Sequence, residues 1–241
     1  MHRKNGSDNA FYFKQFQIHH DRSTMKVGTD GVLLGAWADI GSAKHILDIG
    51  TGTGLIALML AQRSGQNIHI DAIEIDFDTY QQAVENVEAS VWQDKINVCH
   101  TSLQHFSTSK KYDLIITNPP YFVNSLKAPD QKRNLSRHSD QLPYTDIINS
   151  CHRLLHPNGR LCLILPHSEG IIFTKMAATA RLLCNKKISI HHKESKPTER
   201  LLLEFSYHSS ICHEGKLVLF NQEEKRTPSY HQLVSEFYLT E

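Results

Sequence analysis

The chain has 241 residues, with 26 Lys and Arg against 25 Asp and Glu, for a net charge of +1. That length suits one domain with small additions, and 40% hydrophobic with 21% charged residues excludes a disordered chain. No run approaches the ~18 apolar residues of a membrane-crossing helix, and five widely spaced cysteines without a C-x-x-C exclude a disulfide framework or a thiolate zinc site.

Phe11, Phe13 and Phe16 suggest a short hairpin, and residues 29–38 a helix. From residue 45 short apolar runs alternate with helical periodicity. Strands are expected at 45–50, 68–75, 96–100 and 112–118, with helices at 55–61 and 77–89. Tyr144, Ile147, Ile148, Cys151, Leu154 and Leu155 mark one face of a further helix. Asn158-Gly159 is expected to break the chain before a strand at 160–165. A helix over 168–183 and strands near 188–194 and 200–207 follow. Thr227 and Pro228 read as a cap and first helical position, and Tyr230, Leu233, Val234, Phe237 and Tyr238 as one helical face. The fold class expected is α/β, a doubly wound mostly parallel sheet with an antiparallel hairpin at one edge. The chain reads as a single domain: an N-terminal extension over 1–40, a central sheet over 45–207, and a helical segment over 208–241.

Asp48-Ile49-Gly50-Thr51-Gly52-Thr53-Gly54 follows the first central strand and opens a helix. Glycines there let the chain turn tightly and let a ligand approach the free N–H groups of the helix start. The spacing is not G-x-G-x-x-G, so the dinucleotide fingerprint is not met. A glycine-rich turn without a ligand is the alternative. The motif resembles that of class I S-adenosylmethionine-dependent methyltransferases, with a Rossmann-like sheet. Glu74 ends the next strand, where a carboxylate can accept hydrogen bonds from both hydroxyls of a ribose; taken alone it reads as a surface charge. After the third strand that family usually carries an acid that meets the adenine amine. Ser102 stands there instead and accepts more weakly.

Asn118-Pro119-Pro120-Tyr121 follows the fourth strand. The exocyclic amine of adenine is a poor nucleophile, because its lone pair is delocalised into the ring. Acceptors on both N–H groups favour a localised lone pair. The Asn118 side-chain oxygen and the Pro119 carbonyl can supply two. Two prolines stiffen the turn and remove competing donors, and Tyr121 can stack on the base. A purely structural turn is the alternative. The tetrapeptide resembles the Asn-Pro-Pro-aromatic motif of methyltransferases acting on planar amines, and does not by itself separate adenine from guanine or a glutamine amide.

Phe13-Lys14-Gln15-Phe16, His19-His20-Asp21-Arg22 and the run from Met25 to Trp37 resemble the bacterial tRNA(Val) adenine-N6-methyltransferase family, and the likeness extends to Arg200–Phe205. It implies S-adenosyl-L-methionine as cofactor and N6-methylation of the adenosine 3′ of the anticodon, tRNA position 37. In that family the stretch from Lys26 to Asp30 lies over the cofactor, so Lys26, Thr29 and Asp30 join Asp48, Gly50, Thr51, Gly52, Gly54, Glu74, Ser102 and Asn118 as its expected contacts. Asp30 can alternatively cap the helix at 29–38. The rivals are a release-factor glutamine methyltransferase, a ribosomal RNA base methyltransferase, and a cofactor-binding RNA-binding protein without turnover.

The near-neutral total hides local charge. Residues 1–27, 121–138 and 181–200 carry +3, +3 and +4, leaving −9 elsewhere. Charge runs are often plain solvated faces. An RNA backbone is expected to meet Arg22, Lys132, Arg133 and Arg137. The 16 histidines show no H-E-x-x-H, so no metal is expected. The first residues lack the apolar stretch of a secretory signal, and the cytoplasm is the expected compartment.

Overall fold

Continuous apolar strands need cover on both faces. In the computed structural model, which describes residues 9–23, 26–120, 142–208 and 211–239, two short strands come first. β1 (Ala10–Tyr12) and β2 (Gln17–His19) pair antiparallel, and α1 (Thr29–Trp37) follows. Strand and helix then alternate through β3 (His45–Ile49), α2 (Leu55–Arg63), β4 (His69–Glu74), α3 (Phe77–Glu88), β5 (Ile96–His100) and β6 (Tyr112–Thr117). Next come α4 (Tyr144–Leu154), β7 (Leu155–Pro166) and α5 (His167–Thr179). β8 (Leu183–His191), β9 (Arg200–Ser206), β10 (His213–Val218) and α6 (Pro228–Val234) complete the order.

The strands from β3 onward form one sheet in the order β10-β8-β9-β7-β6-β3-β4-β5. Among them only β9 runs against its neighbours, β7 and β8; the other pairs are parallel. This is the doubly wound, mostly parallel sheet expected, and β8 and β9 form the anticipated antiparallel pair. They do not end the sheet, because β10 adds outside β8. Residues 213–218 escape a sequence reading because an edge strand needs no apolar run, and here only Leu217 is buried.

Residues alternate between two apolar layers, as strand geometry requires. Ile46, Leu114, Ile116, Ile164 and Leu202 face the layer of α1, α2 and α6. Leu47, Ile115, Leu163 and Leu203 face that of α4 and α5. In α2 the seven residues from Leu55 to Ala61 are all buried. Burying one Leu or Ile is worth roughly 1.5–3 kcal/mol, so α2 is held by burial on every side. α3 is amphipathic and capped by Asp76, whose side chain accepts from Thr79 N at 2.9 Å. α6 begins as its sequence predicts: Thr227 accepts from Tyr230 N at 3.2 Å, with Pro228 at the first position.

The Asn158-Gly159 pair does not precede β7 but lies within it. The register jumps there from Tyr112 opposite Leu155 to Leu114 opposite Arg160. A Cβ on Gly159 would lie 2.8 Å from the Tyr112 carbonyl oxygen, so close backbone approach is what the glycine serves. Among the described residues no helix is long and apolar enough to cross a membrane.

Candidate active site

Strand register decides what meets at the carboxyl ends of the sheet. Ile49 lies opposite both Ile73 and Thr117, so Gly50, Glu74 and Asn118 emerge side by side one residue later. Thr117 reinforces this level by donating its hydroxyl to Ile49 O at 2.8 Å. In the turn that follows, Gly50, Gly52 and Gly54 have φ of +66°, +58° and +84°. That left-handed region strains any residue with a Cβ. A Cβ on Gly50 or Gly52 would meet no atom within 4 Å; it would occupy open space instead.

Beneath the turn sits Asp48, fully buried, whose Oδ2 accepts the Thr51 hydroxyl at 2.6 Å. Burial pushes its carboxyl up to about 7 against hydrogen bonds from the Thr51 hydroxyl and the Ala57 amide, and the Glu74 charge adds to the rise. Glu74 faces the turn from the side. Its Oε2 accepts from Gly52 N at 2.9 Å, and its Oε1 from Ile75 N at 2.9 Å and Asp76 N at 3.0 Å.

The turn is also clamped to the N-terminal hairpin, through a residue that sequence reading overlooked. Asn86 on α3 is buried. Its Nδ2 donates to Thr53 O and His19 O, each at 2.9 Å, and its Oδ1 accepts from His19 N at 2.9 Å. Three backbone groups from two distant segments thus share one amide. Period-3.6 patterning places Asn86 on the inner face of α3, and only its partners reveal its use.

A cavity of about 490 Å³ opens above these elements, within the size range of small-molecule sites. Of the expected residues it gathers Lys26, Thr29, Asp30, Gly50, Thr51, Gly52 and Asn118. Asp48, Gly54, Glu74 and Ser102 lie outside its lining. Ser102 is turned to a local role: its hydroxyl lies 3.1 Å from His105 Nδ1 and accepts from His105 N at 3.3 Å. Asp30 sits in the first turn of α1 and does not cap it; Gly28 is the cap residue. The Asp30 carboxylate instead accepts from Arg200 Nε at 2.8 Å. Arg22 is paired with Glu85 at 2.9 Å, and its backbone N donates to Gln82 Oε1 at 3.2 Å.

Asn118 carries the feature that stands out chemically. Its Oδ1 is buried and has no hydrogen-bond partner among the described residues. A buried acceptor without a donor costs free energy unless something fills the need. Pro119 behind it is buried and Pro120 is exposed. Tyr121, Lys132, Arg133 and Arg137 lie outside the described residues.

The far wall of the cavity was not anticipated. It is built by Ile190, His192, Arg200, Leu219 and Phe220, with the His192 and Phe220 rings 5.0 Å apart. β8 and β10 run parallel to β7, so they end on the same side as β3 and β6. The rule that ligands lie at the carboxyl ends of parallel strands points to residues 190–192 once 188–194 is read as a strand. No comparable signal marks Leu219 and Phe220. Among the described residues no group of three His, Cys, Asp or Glu side chains is arranged to hold a metal.

Comparison with known proteins agrees with this geometry. Residues 25–183 match the family model described as Methyltransferase small domain. A tRNA1(Val) (adenine(37)-N6)-methyltransferase of Phocaeicola vulgatus is 45% identical over 229 residues, covering 95% of this chain and 97% of the relative. One of the same name from Trichodesmium erythraeum is 44% identical over 234 residues, covering 96% and 98%. Among solved structures, a predicted O-methyltransferase from Agrobacterium tumefaciens superposes with a TM-score of 0.65 at 17% identity, covering 86% of this chain and 96% of that one. At that identity it shows a shared fold.

Proposed function

The chain belongs to the tRNA1(Val) (adenine(37)-N6)-methyltransferase family, and on that premise we propose that its own site methylates N6 of the adenosine 3′ of the anticodon in a valine tRNA, with S-adenosylmethionine as donor. The observation that carries this reading is the buried Asn118 Oδ1, without a partner among the described residues, at the cavity beside the glycine turn.

The residues present suit the donor. Left-handed glycines leave their side of the cavity clear of side chains, and the cap residue of α2, Gly54, has no side chain to cover the start of the helix. Gly50, Thr51 and Gly52 would hold it from below, and Lys26, Thr29 and Asp30 from the α1 side. Glu74 keeps acceptor capacity on Oε2 for a ribose hydroxyl, since a carboxylate oxygen takes more than one donor. Ile75 next to it is 50% exposed and offers an apolar face to a purine. When bound, S-adenosylmethionine supplies a methyl group activated by its sulfonium.

The chain's part in the chemistry is alignment and polarisation. Asn118 Oδ1 accepts one N–H of the adenine amine, and the Pro119 carbonyl accepts the other. The amine lone pair is then held toward the donor rather than spread into the ring. Tyr121 stacks on the base and fixes its plane. Aligned reactants account for much of such a rate enhancement. No base is needed before transfer, because the proton leaves a nitrogen that has become cationic. An anticodon-loop adenosine is single-stranded, so it enters without melting a duplex. Lys132, Arg133 and Arg137 follow Tyr121 closely in sequence and are assigned to the RNA backbone; Arg22, tied to Glu85, contributes at most a shared charge. In this reading residues 1–40 cover the site, 45–207 form the catalytic sheet, and a tRNA substrate places the reaction in the cytoplasm.

The test is direct. The protein is incubated with labelled S-adenosylmethionine and total tRNA from a strain lacking the enzyme, and labelled nucleosides are mapped by mass spectrometry. N6-methyladenosine beside the valine anticodon is expected. Label confined to ribosomal RNA or to protein overturns the assignment.

A further inference from the structure

The catalytic cavity extends well past Asn118. At that end of the sheet the strands follow one another as β4, β3, β6, β7, β9, β8 and β10. Glu74 closes β4, the glycine turn follows β3, and Asn118 follows β6. Methyl transfer is an in-line displacement, so the accepting nitrogen and the departing sulfur lie on opposite sides of the methyl carbon. With the donor on the β3 and β4 side of Asn118, the accepting nucleotide lies on the other side, toward β7 to β10. The same cavity continues that way to His192, which follows β8, and to Phe220, beyond the end of β10.

Two rings are held at that end in fixed planes. Phe220 N donates to His192 O at 2.9 Å, which continues the pairing of β10 with β8, and Phe220 also pairs with Arg226 through a backbone bridge. The Phe220 ring meets that of the buried Tyr230 edge to face at 5.8 Å. The His192 ring lies 5.0 Å from the Phe220 ring at an angle of 46°, and its Nε2 is 3.7 Å from Glu224 Oε2. Both side chains are half-buried, whereas Ile190 and Leu219 beside them are buried. Ring faces kept at a concave surface suit a planar partner, and unpaired nucleobases stack on such rings largely irrespective of sequence. Distance decides which base. β8 is three strand spacings from β6, about 14 Å, which is more than one purine spans. The base whose amine meets Asn118 therefore does not reach the pair, and its neighbour does. We propose that His192 and Phe220 stack an unpaired base next to the methylated adenosine in the RNA strand. The proposal rests on the reading that this chain acts on RNA.

The test is a cycle between protein and RNA. Phe220→Leu and His192→Leu keep apolar bulk and remove the ring faces. The RNA is the valine anticodon stem-loop, either intact or with an abasic ribose 5′ or 3′ of the target adenosine. Each leucine variant should bind the intact stem-loop about tenfold more weakly, the scale of one base–aromatic stack, and Phe220→Tyr should bind it as wild type does. One of the two abasic positions should weaken wild-type binding to a similar degree and have no further effect on Phe220→Leu. The slope of log affinity against log salt should stay as in wild type, since no phosphate contact is lost. Binding of S-adenosylhomocysteine at the glycine turn checks that each variant is folded. Wild-type affinity in both leucine variants, or abasic penalties as large in the variants as in wild type, overturns the stack. Absence of N6-methyladenosine with the wild-type protein overturns the assigned activity instead, while the binding cycle still reads the stack.

Discussion

The amide of Gly52 donates to Glu74 Oε2 at 2.9 Å, so the acid that closes β4 also holds the glycine turn in place from the side. Two further amides, of Ile75 and Asp76, converge on its other oxygen. One carboxylate thus ties three backbone donors from two loops. Replacing one oxygen by an amide turns an acceptor into a donor that faces donors. Glu74→Gln should lose about 2 kcal/mol of stability, read by urea unfolding, and weaken S-adenosylmethionine binding about tenfold by calorimetry. Unchanged binding with reduced stability would confine Glu74 to shaping the turn.

Asn118→Ala removes the buried acceptor without touching the turn. Turnover should fall at least about a hundredfold, the scale seen when one aligned polar group is removed from an active site, while donor binding stays within twofold. Single-turnover methylation and equilibrium binding separate the two. Full activity would refute the assigned role.

Asp48 makes stability depend on pH in an unusual direction. Its carboxyl is raised from 3.8 to about 7. Between those values the folded state keeps a proton that the unfolded state has released. Stability contributed by this group is therefore full below about pH 4, falls through the window, and levels off above about pH 7. The difference in unfolding free energy between wild type and Asp48→Asn should change across pH 4–7 by an amount on the order of a few kcal/mol, and stay flat above it. A difference that is constant over the whole range would show an unshifted carboxyl.

Asn86→Ala leaves His19 N, His19 O and Thr53 O without their shared partner. It should cost about 3 kcal/mol and loosen the hairpin from the glycine turn. Amide exchange at His19 should accelerate, and donor KM should rise with kcat less affected. Exchange at His19 matching wild type would show that β2 is held by other interactions.

The parts of the site that lie close in sequence were legible without coordinates. Asp48 through Gly54 form a local turn, and Asn118 opens a second motif directly after β6, so residue type and spacing suggest a role for each without coordinates. Glu74 was assigned its place because parallel strands end together. Its hydrogen bonds were not, since they depend on how the Gly52 amide points. Asp30 could be read as a cap or as a cofactor contact; the ion pair with Arg200, 170 positions later, belongs to neither reading. β10 stayed hidden because an exposed edge strand carries no apolar period.

The sequence alone determined the alternation of strands and helices, hence the parallel sheet, the two motif turns at its carboxyl ends and the family. Those follow from local backbone preference and apolar periodicity, which act over a few residues. Only the tertiary structure decided which side chains share a space: that Asn86 joins the hairpin to the turn, that Phe220 and Arg200 close the far wall, and that Lys14 and Arg226 line one cavity. Such pairings depend on strand order and register, and the pairing energies that choose among orders act between segments that no local pattern links.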